Sequence, residues 1–120
     1  MIDIFAIGAL GYSALEVIWR GFTHPSMGIT GGICFTLIYM ANAQLAESPI
    51  YLRALCGCGI ILLVELIVGI LVNIVFKWNV WDYSAIKFNL WGQICLRYAA
   101  IWFLLCFPVI RLCDYILRSR

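Results

Sequence analysis

The stretch LRALCGCGIILLVELIVGILVNIVF, residues 52–76, decides how this chain folds. It is apolar almost throughout, and as an α-helix it is longer than the hydrocarbon core of a bilayer, which is about 30 Å thick. It therefore predicts a membrane-spanning helix. The whole composition agrees with this prediction, because 65% of the 120 residues are hydrophobic and 12% are charged, whereas soluble domains are nearer half apolar and a quarter charged.

Three further apolar runs flank this stretch, at residues 4–19, 27–46 and 92–117. Each is long enough, or nearly so, to cross a bilayer as a helix. The sequence thus predicts an all-α integral membrane protein, a bundle of four transmembrane helices forming a single transmembrane domain over residues 1–120. The connection at 77–91, KWNVWDYSAIKFNLW, mixes aromatic and polar residues. It predicts a segment that lies in the membrane interface or re-enters the membrane between helices 3 and 4.

Four spans put both termini on one side of the membrane, here called side A, together with the turn at Glu47. Side B has the connections after the first and third helices. Four of the five tryptophans fall at side B and predict an aromatic belt there: Trp19, Trp78, Trp81 and Trp91. The basic residues assigned to the two membrane surfaces are Arg53, Arg111, Arg118 and Arg120 on side A and Arg20, Lys77 and Lys87 on side B. This excess on side A favours termini in the cytoplasm.

The composition also bears on partners and cofactors. The net charge of +2 and the scattered basic residues predict no nucleic-acid partner, and the expected partner is the lipid bilayer. The cysteines lack the C-x-x-C spacing of a zinc or redox site, and the chain has one histidine, so we expect no metal and no cofactor. The cysteines are interpreted as packing residues: Cys34, Cys56, Cys58, Cys95, Cys106 and Cys113.

Polar residues inside the spans are the candidate functional residues. Glu65 is in the middle of the third run, where a charge costs roughly 3 kcal/mol, so it must face protein or water. Gly69 and Asn73 follow at four-residue spacing and share its helix face. Glu16 is near side B in the first run, and Arg97 is near side B in the fourth.

A carboxylate and a guanidinium in a low dielectric favour pairing, so the sequence predicts that Arg97 pairs with Glu65, with Glu16, or with both. The cluster either only locks the helices together or forms a polar cavity for a substrate, an ion or a proton. The full set of candidate site residues is Glu16, His24, Glu65, Asn73, Asp82, Asn89, Gln93 and Arg97.

Three other features complete the pattern. Candidate helix-packing glycines are Gly28, Gly31, Gly32, Gly69 and Gly92, the first and third of which form a small-x-x-x-small pair. His24 lies in a short loop, where it is either a solvated or capping residue or a group that folds over the polar cluster and titrates near neutral pH. Asp82 is expected to accept hydrogen bonds from nearby backbone N–H groups or from the Ser84 hydroxyl.

The residues also support a family resemblance over nearly the whole chain. The matching motifs are Glu16, Arg20-Gly21-Phe22-Thr23-His24, Met27, Gly31-Gly32-x-Cys34-Phe35, Glu65-Leu66-Ile67-Val68-Gly69, Asn79-Val80-Trp81-Asp82-Tyr83-Ser84, Phe88-Asn89-Leu90-x-Gly92-Gln93-Ile94-Cys95-Leu96 and Trp102. On these motifs the chain resembles the ABC-transporter type IV, or ABC transporter permease, family of small bacterial membrane proteins. The resemblance implies a multi-pass protein of the bacterial inner membrane.

Three functions compete. The first is a transport or channel-like module, homo-oligomeric, with its pore or cavity between protomers because one small bundle has little room. The second is an intramembrane enzyme acting on a lipid or isoprenoid, with Glu16, His24, Glu65 and Asp82 as acid and base; the catalytic residues stay unknown. The third is a structural or regulatory membrane protein. No Walker motif is present, so the resemblance leaves open a separate ATPase or membrane partner.

Overall fold

The computed structural model describes residues 1–21 and 23–119. Within these ranges it contains four helices long and apolar enough to cross a membrane: α1 (Ile2–Arg20), α2 (Pro25–Gln44), α3 (Ile50–Gly69, continuing to Val75) and α4 (Leu96–Ser119). The predicted all-α, four-span fold is confirmed. Phe22, part of one family motif, and Arg120, counted with the basic residues of side A, lie outside the described residues.

Local sequence explains where α1 ends and α2 begins. Gly21 adopts a left-handed conformation, φ 84°, and its N–H bonds to the Val17 carbonyl, which terminates α1. His24 then caps α2, since its side chain accepts a hydrogen bond from the Ser26 N–H. Pro25 occupies the first helical position, where its missing N–H costs nothing.

The third span changes its winding before it ends. After Gly69 the chain forms a π-helical turn, Ile70–Val75, in which the Phe76 N–H reaches the Leu71 carbonyl. Such turns insert an extra residue into an α-helix and occur often near functional sites. The complete span has 26 residues, against 19 for α1, which correspond to about 39 Å and about 28 Å of helix.

The connection between the third and fourth spans is folded and contains a short hairpin. Strand β1 (Asn89–Leu90) pairs with the antiparallel strand β2 (Ile94–Cys95). The predicted start of the fourth helix at Gly92 is therefore wrong, because residues 92–95 belong to this hairpin and α4 begins at Leu96. Gly92 takes the positive φ, 72°, that the turn requires.

The α1–α2 contact is a close crossing made by glycines. A Cβ at Gly8 would overlap the Phe35 side chain and approach the Gly31 carbonyl to 2.8 Å. A Cβ at Gly31 would overlap Tyr12, and one at Gly32 would touch the Phe5 ring. Glycine lets the two backbones approach, which is the main source of helix association where lipid supplies no hydrophobic drive.

The remaining helices pack around α2, but the bundle is not closed. Helix α2 contacts α1, α3 and α4, and α3 packs on α4. Over the described residues, α1 and α4 do not pack closely on each other, which leaves a seam between them. The principal buried core draws on all four helices and includes Ile4, Phe35, Ile38, Tyr39, Ala54, Cys58, Cys106, Ile110 and Cys113.

Candidate functional site

The seam between α1 and α4 contains a cavity of about 360 Å³. Helix α1 contributes residues such as Gly11 and Leu15 to it, α4 contributes Trp102 and Leu105, and α2 and α3 form its inner wall. Leu15 and Gly11 are also exposed on the outside of the bundle. The cavity therefore opens sideways, towards the lipid, and lies within a single chain.

Glu65 is the carboxylate of this cavity. It is 3% exposed and lines the inner wall from α3. Its Oε2 atom is buried and has no hydrogen-bond partner. The Trp102 indole N–H interacts with the carboxyl group, but outside the geometry of a standard hydrogen bond. Thr30, another polar residue of the wall, does have a partner, since it donates to the Ser26 carbonyl at 2.7 Å. The cavity thus has one unsatisfied acidic group in an apolar wall.

Glu16 and Arg20 lie at the side B end of the same seam. Glu16 pairs with Arg20 at 2.8 Å and accepts a hydrogen bond from the Tyr12 hydroxyl at 2.8 Å. Arg20 also reaches the Val80 carbonyl of the connection at 3.4 Å. These two charged residues line a second groove of about 230 Å³, which shares Tyr12 and Trp102 with the Glu65 cavity. The groove and the Glu65 cavity therefore lie next to each other along the seam, with the groove nearer side B.

The prediction that Arg97 pairs with Glu65 or Glu16 is wrong. Glu16 pairs with Arg20, Arg97 is exposed, and no ion pair joins Arg97 to an acidic side chain in the described part of the chain. The physical reason is the late start of α4. Arg97 is only the second residue of the helix, so it lies at the interface level and not two turns inside the membrane.

Asn73, Gln93 and Trp81 form a separate polar contact at side B. The Asn73 amide donates to Gln93 Oε1 at 2.8 Å, and its own oxygen accepts the Val80 N–H at 2.7 Å. The buried Trp81 indole donates to the Gln93 carbonyl at 2.9 Å. A Cβ at Gly69 would lie 2.5 Å from Gln93 Oε1. The predicted stripe from Glu65 to Asn73 is thus divided: Glu65 faces the cavity, while Gly69 and Asn73 hold the connection to α3.

Asp82 and Asn89 shape the hairpin itself. Asp82 Oδ1 accepts the Ser84 N–H at 2.9 Å, which confirms the predicted turn. Asn89 accepts the Gly92 N–H at 3.0 Å and donates to the Ile86 carbonyl at 2.8 Å. A Cβ at Gly92 would lie 2.7 Å from Asp82 Oδ1. Both residues therefore act on the local backbone, away from the Glu65 cavity.

The Asp82 turn gives a pH-dependent prediction. Hydrogen bonds from Ser84 hold the pKa of the Asp82 carboxyl below its ordinary value of 3.8. A lowered pKa means that the stabilisation is complete above the ordinary value and is lost as the pH falls through the lowered value. We expect the Ser84 amide proton resonance to titrate with a midpoint below 3.8. In Asp82→Asn that titration should disappear, and a midpoint at or above the ordinary value would contradict the turn as described.

The four residues proposed as acid and base of an enzyme each have their own contacts. His24 caps α2 and packs on the Trp78 ring, with centroids 5.7 Å apart. Asp82 is exposed in the connection before the hairpin, Glu16 is paired with Arg20, and Glu65 lines the cavity. Among the described residues, no group of three or more His, Cys, Asp or Glu side chains is placed to hold a metal ion.

A polar cluster at side A was not predicted. The buried Asn42 donates to Asp114 Oδ1 at 2.8 Å, and Arg53 reaches Asn42 Oδ1 at 2.9 Å and both Asp114 oxygens at 3.1 Å. The three residues tie α2, α3 and α4 together. The available signal was an aspartate inside the fourth apolar run, where a charged side chain is costly to insert.

Comparison with known proteins agrees with this architecture. A family model described as Putative ABC-transporter type IV matches residues 6–120. No curated protein and no solved structure gives a significant match. The matched region includes every residue of the seam, the Glu65 cavity and the hairpin. The chain therefore belongs to this family of transport-related, multi-pass membrane proteins, as its motifs imply.

Proposed function

We propose that this chain is a membrane transport module whose solute-binding site is the Glu65 cavity at the α1–α4 seam. The observation that carries the proposal is the unsatisfied Glu65 Oε2 in the wall of that cavity. A buried acceptor without a partner is costly, and a bound solute with a donor or a positive charge removes that cost. The volume, about 360 Å³, is within the range of small-molecule sites.

The open seam supports transport over a purely structural role. A cluster that only locks helices together would be closed and fully paired, as the Asn42, Arg53 and Asp114 contacts are. The Glu65 cavity is neither closed nor fully paired. It also lies within a single chain and does not need a neighbouring protomer. A pore or cavity between protomers stays a prediction. Homo-oligomerisation, a bacterial inner-membrane location, cytoplasmic termini and an ATPase or membrane partner stay predictions.

The proposal predicts that filling the cavity stops transport. An added Cβ at Gly11 meets no atom within 4 Å, and Gly11 lines the cavity. The Gly11→Phe variant should therefore fold and place its ring in the seam. In proteoliposomes loaded in turn with cationic, neutral and anionic hydrophobic solutes, we expect the protein to accelerate the passage of at least one class, and the variant to lose about tenfold or more of that rate.

Gly59 offers a matched control. It is a helical glycine with equally open space around an added Cβ, and it does not line the cavity. The Gly59→Phe variant should transport like the unmodified chain. Equal transport by the Gly11 and Gly59 variants, with both melting like the unmodified chain, would overturn the cavity as the transport site.

A further inference from the structure

The charged groups in the wall of the Glu65 cavity are of one sign. Among the described residues that line it, none is a lysine or an arginine, and Glu65 is the single acid. The basic residues at the side B ends of α1 and α4 do not line the cavity: Arg20 pairs with Glu16, and Arg97 is exposed. Within the described part of the chain, the acidic group is therefore not neutralised by an ion pair.

Aromatic rings surround the same space. Tyr12 from α1, Phe35 from α2 and Trp102 from α4 all line the cavity. The Tyr12 and Trp102 rings lie 5.8 Å apart at an interplanar angle of 47°. Aromatic faces attract cations, and more strongly where water is excluded. A carboxylate with several aromatic rings in an apolar wall is complementary to a positive charge on a hydrophobic body.

We infer that the Glu65 cavity binds a hydrophobic monovalent organic cation, which enters from the bilayer through the α1–α4 seam and exchanges with a proton on Glu65. This inference rests on the proposed function and names its substrate class. Lateral access fits such a solute, because a hydrophobic cation partitions into the membrane before it meets the protein. The carboxyl group supplies the specificity, and the apolar wall supplies most of the contact area.

The exchange balances in atoms and charge. In the empty cavity Glu65 carries a proton, because an unpaired carboxylate in an apolar wall is costly. When the cation binds, the O–H bond of the carboxyl group breaks, the proton passes to water, and the carboxylate pairs with the cation. One positive charge leaves for each that arrives, and no covalent bond forms to the solute.

Other titratable groups face Glu65 from every element around it. They are Tyr12 and Glu16 from α1, Cys34 from α2, Cys58 from α3 and Tyr83 from the connection, with Cys106 from α4 in the same wall. Tyrosine and cysteine side chains are ordinarily neutral at neutral pH. Glu16 is balanced by Arg20. The exchangeable proton is therefore assigned to Glu65.

The test uses the purified full chain in detergent micelles. Three probes of similar aromatic surface differ in charge: tetraphenylphosphonium, tetraphenylborate and neutral triphenylphosphine oxide. We expect selective binding of tetraphenylphosphonium, with release of one proton per cation into weakly buffered solution. The affinity should fall by about tenfold for each unit of falling pH while the empty site is protonated.

Two variants test whether cation binding depends on Glu65 itself or on the removal of any acidic side chain. Glu65→Gln keeps the shape and removes the exchangeable proton, so it should abolish proton release and weaken cation binding by about tenfold or more. Glu47→Gln makes the same change in the exposed turn at side A and should leave both unchanged. If Glu65→Gln does not fold, the pH dependence and proton release of the unmodified chain decide the question.

The possible results distinguish failure of the inferred substrate class from failure of the proposed transport site. Binding of the neutral or anionic probe that Gly11→Phe blocks would keep the cavity as a transport site and overturn the cationic substrate. Binding of the cation without proton release would overturn the exchange. If no probe binds in a way that Gly11→Phe blocks, both the substrate class and the proposed site are wrong.

Discussion

The Trp81→Ala variant should lose about 3–5 kcal/mol of unfolding free energy, the usual cost of removing a buried tryptophan side chain. Trp81 is 5% exposed and packs with Met27 and Val72 under the connection. Its indole N–H donates to the Gln93 carbonyl at 2.9 Å. The substitution leaves a cavity and an unpaired acceptor where the connection packs against the third span. Denaturant titration in detergent micelles, followed by circular dichroism, measures the loss.

Two further variants test whether the stability loss comes from the buried side chain of Trp81 and from its hydrogen bond. Trp81→Phe keeps much of the apolar volume and removes the donor, so it should cost only about 1–2 kcal/mol. Trp91→Ala removes a tryptophan that is 65% exposed at the same interface, and it should change stability by no more than about 0.5 kcal/mol. Equal losses for Trp81→Ala and Trp91→Ala would contradict the packed connection.

The Gly8→Val variant should separate α1 from α2. A Cβ at Gly8 overlaps the Phe35 side chain and approaches the Gly31 carbonyl, which is backbone and cannot rotate away. We expect a loss of about 3 kcal/mol, at the upper end of the range for overpacking. Because α1 packs chiefly on α2, the substitution should loosen α1 from the rest of the bundle. Spin labels on the exposed face of α1 and on α3 should then show that α1 moves more freely relative to α3.

Gly11→Val is the matched control for this experiment. It places the same side chain on the same helix, three residues later, where an added Cβ meets no atom within 4 Å. It should melt like the unmodified chain. A comparable loss at both positions would mean that the helix itself, and not the crossing with α2, is sensitive to valine.

Periodicity and hydropathy are sufficient to predict the four spans and the interior position of Glu65. They are insufficient for Arg97, because its depth depends on where α4 begins. The β1–β2 hairpin uses residues 92–95 that hydropathy assigns to the helix. Glycine spacing predicts close packing near Gly31 but does not identify Gly8 as the residue that faces it.

The long-range polar contacts are the least predictable part. Asn42, Arg53 and Asp114 meet because three helices present the correct faces at one end of the bundle. Sequence separation of 72 and 61 positions gives no local signal for these contacts. The cavity depends similarly on loose packing, since its opening follows from α1 and α4 not packing closely on each other over the described residues.

The unequal lengths of the spans make membrane thickness a variable for this protein. Helix α1 reaches about 28 Å, just short of a typical hydrocarbon core, whereas the third span reaches about 39 Å. A longer span adapts to thicker or thinner lipid by changing its tilt, but a helix that already falls short has no such reserve. Thick, sterol-rich lipid would therefore strain α1 before the other three spans, and with it one wall of the seam.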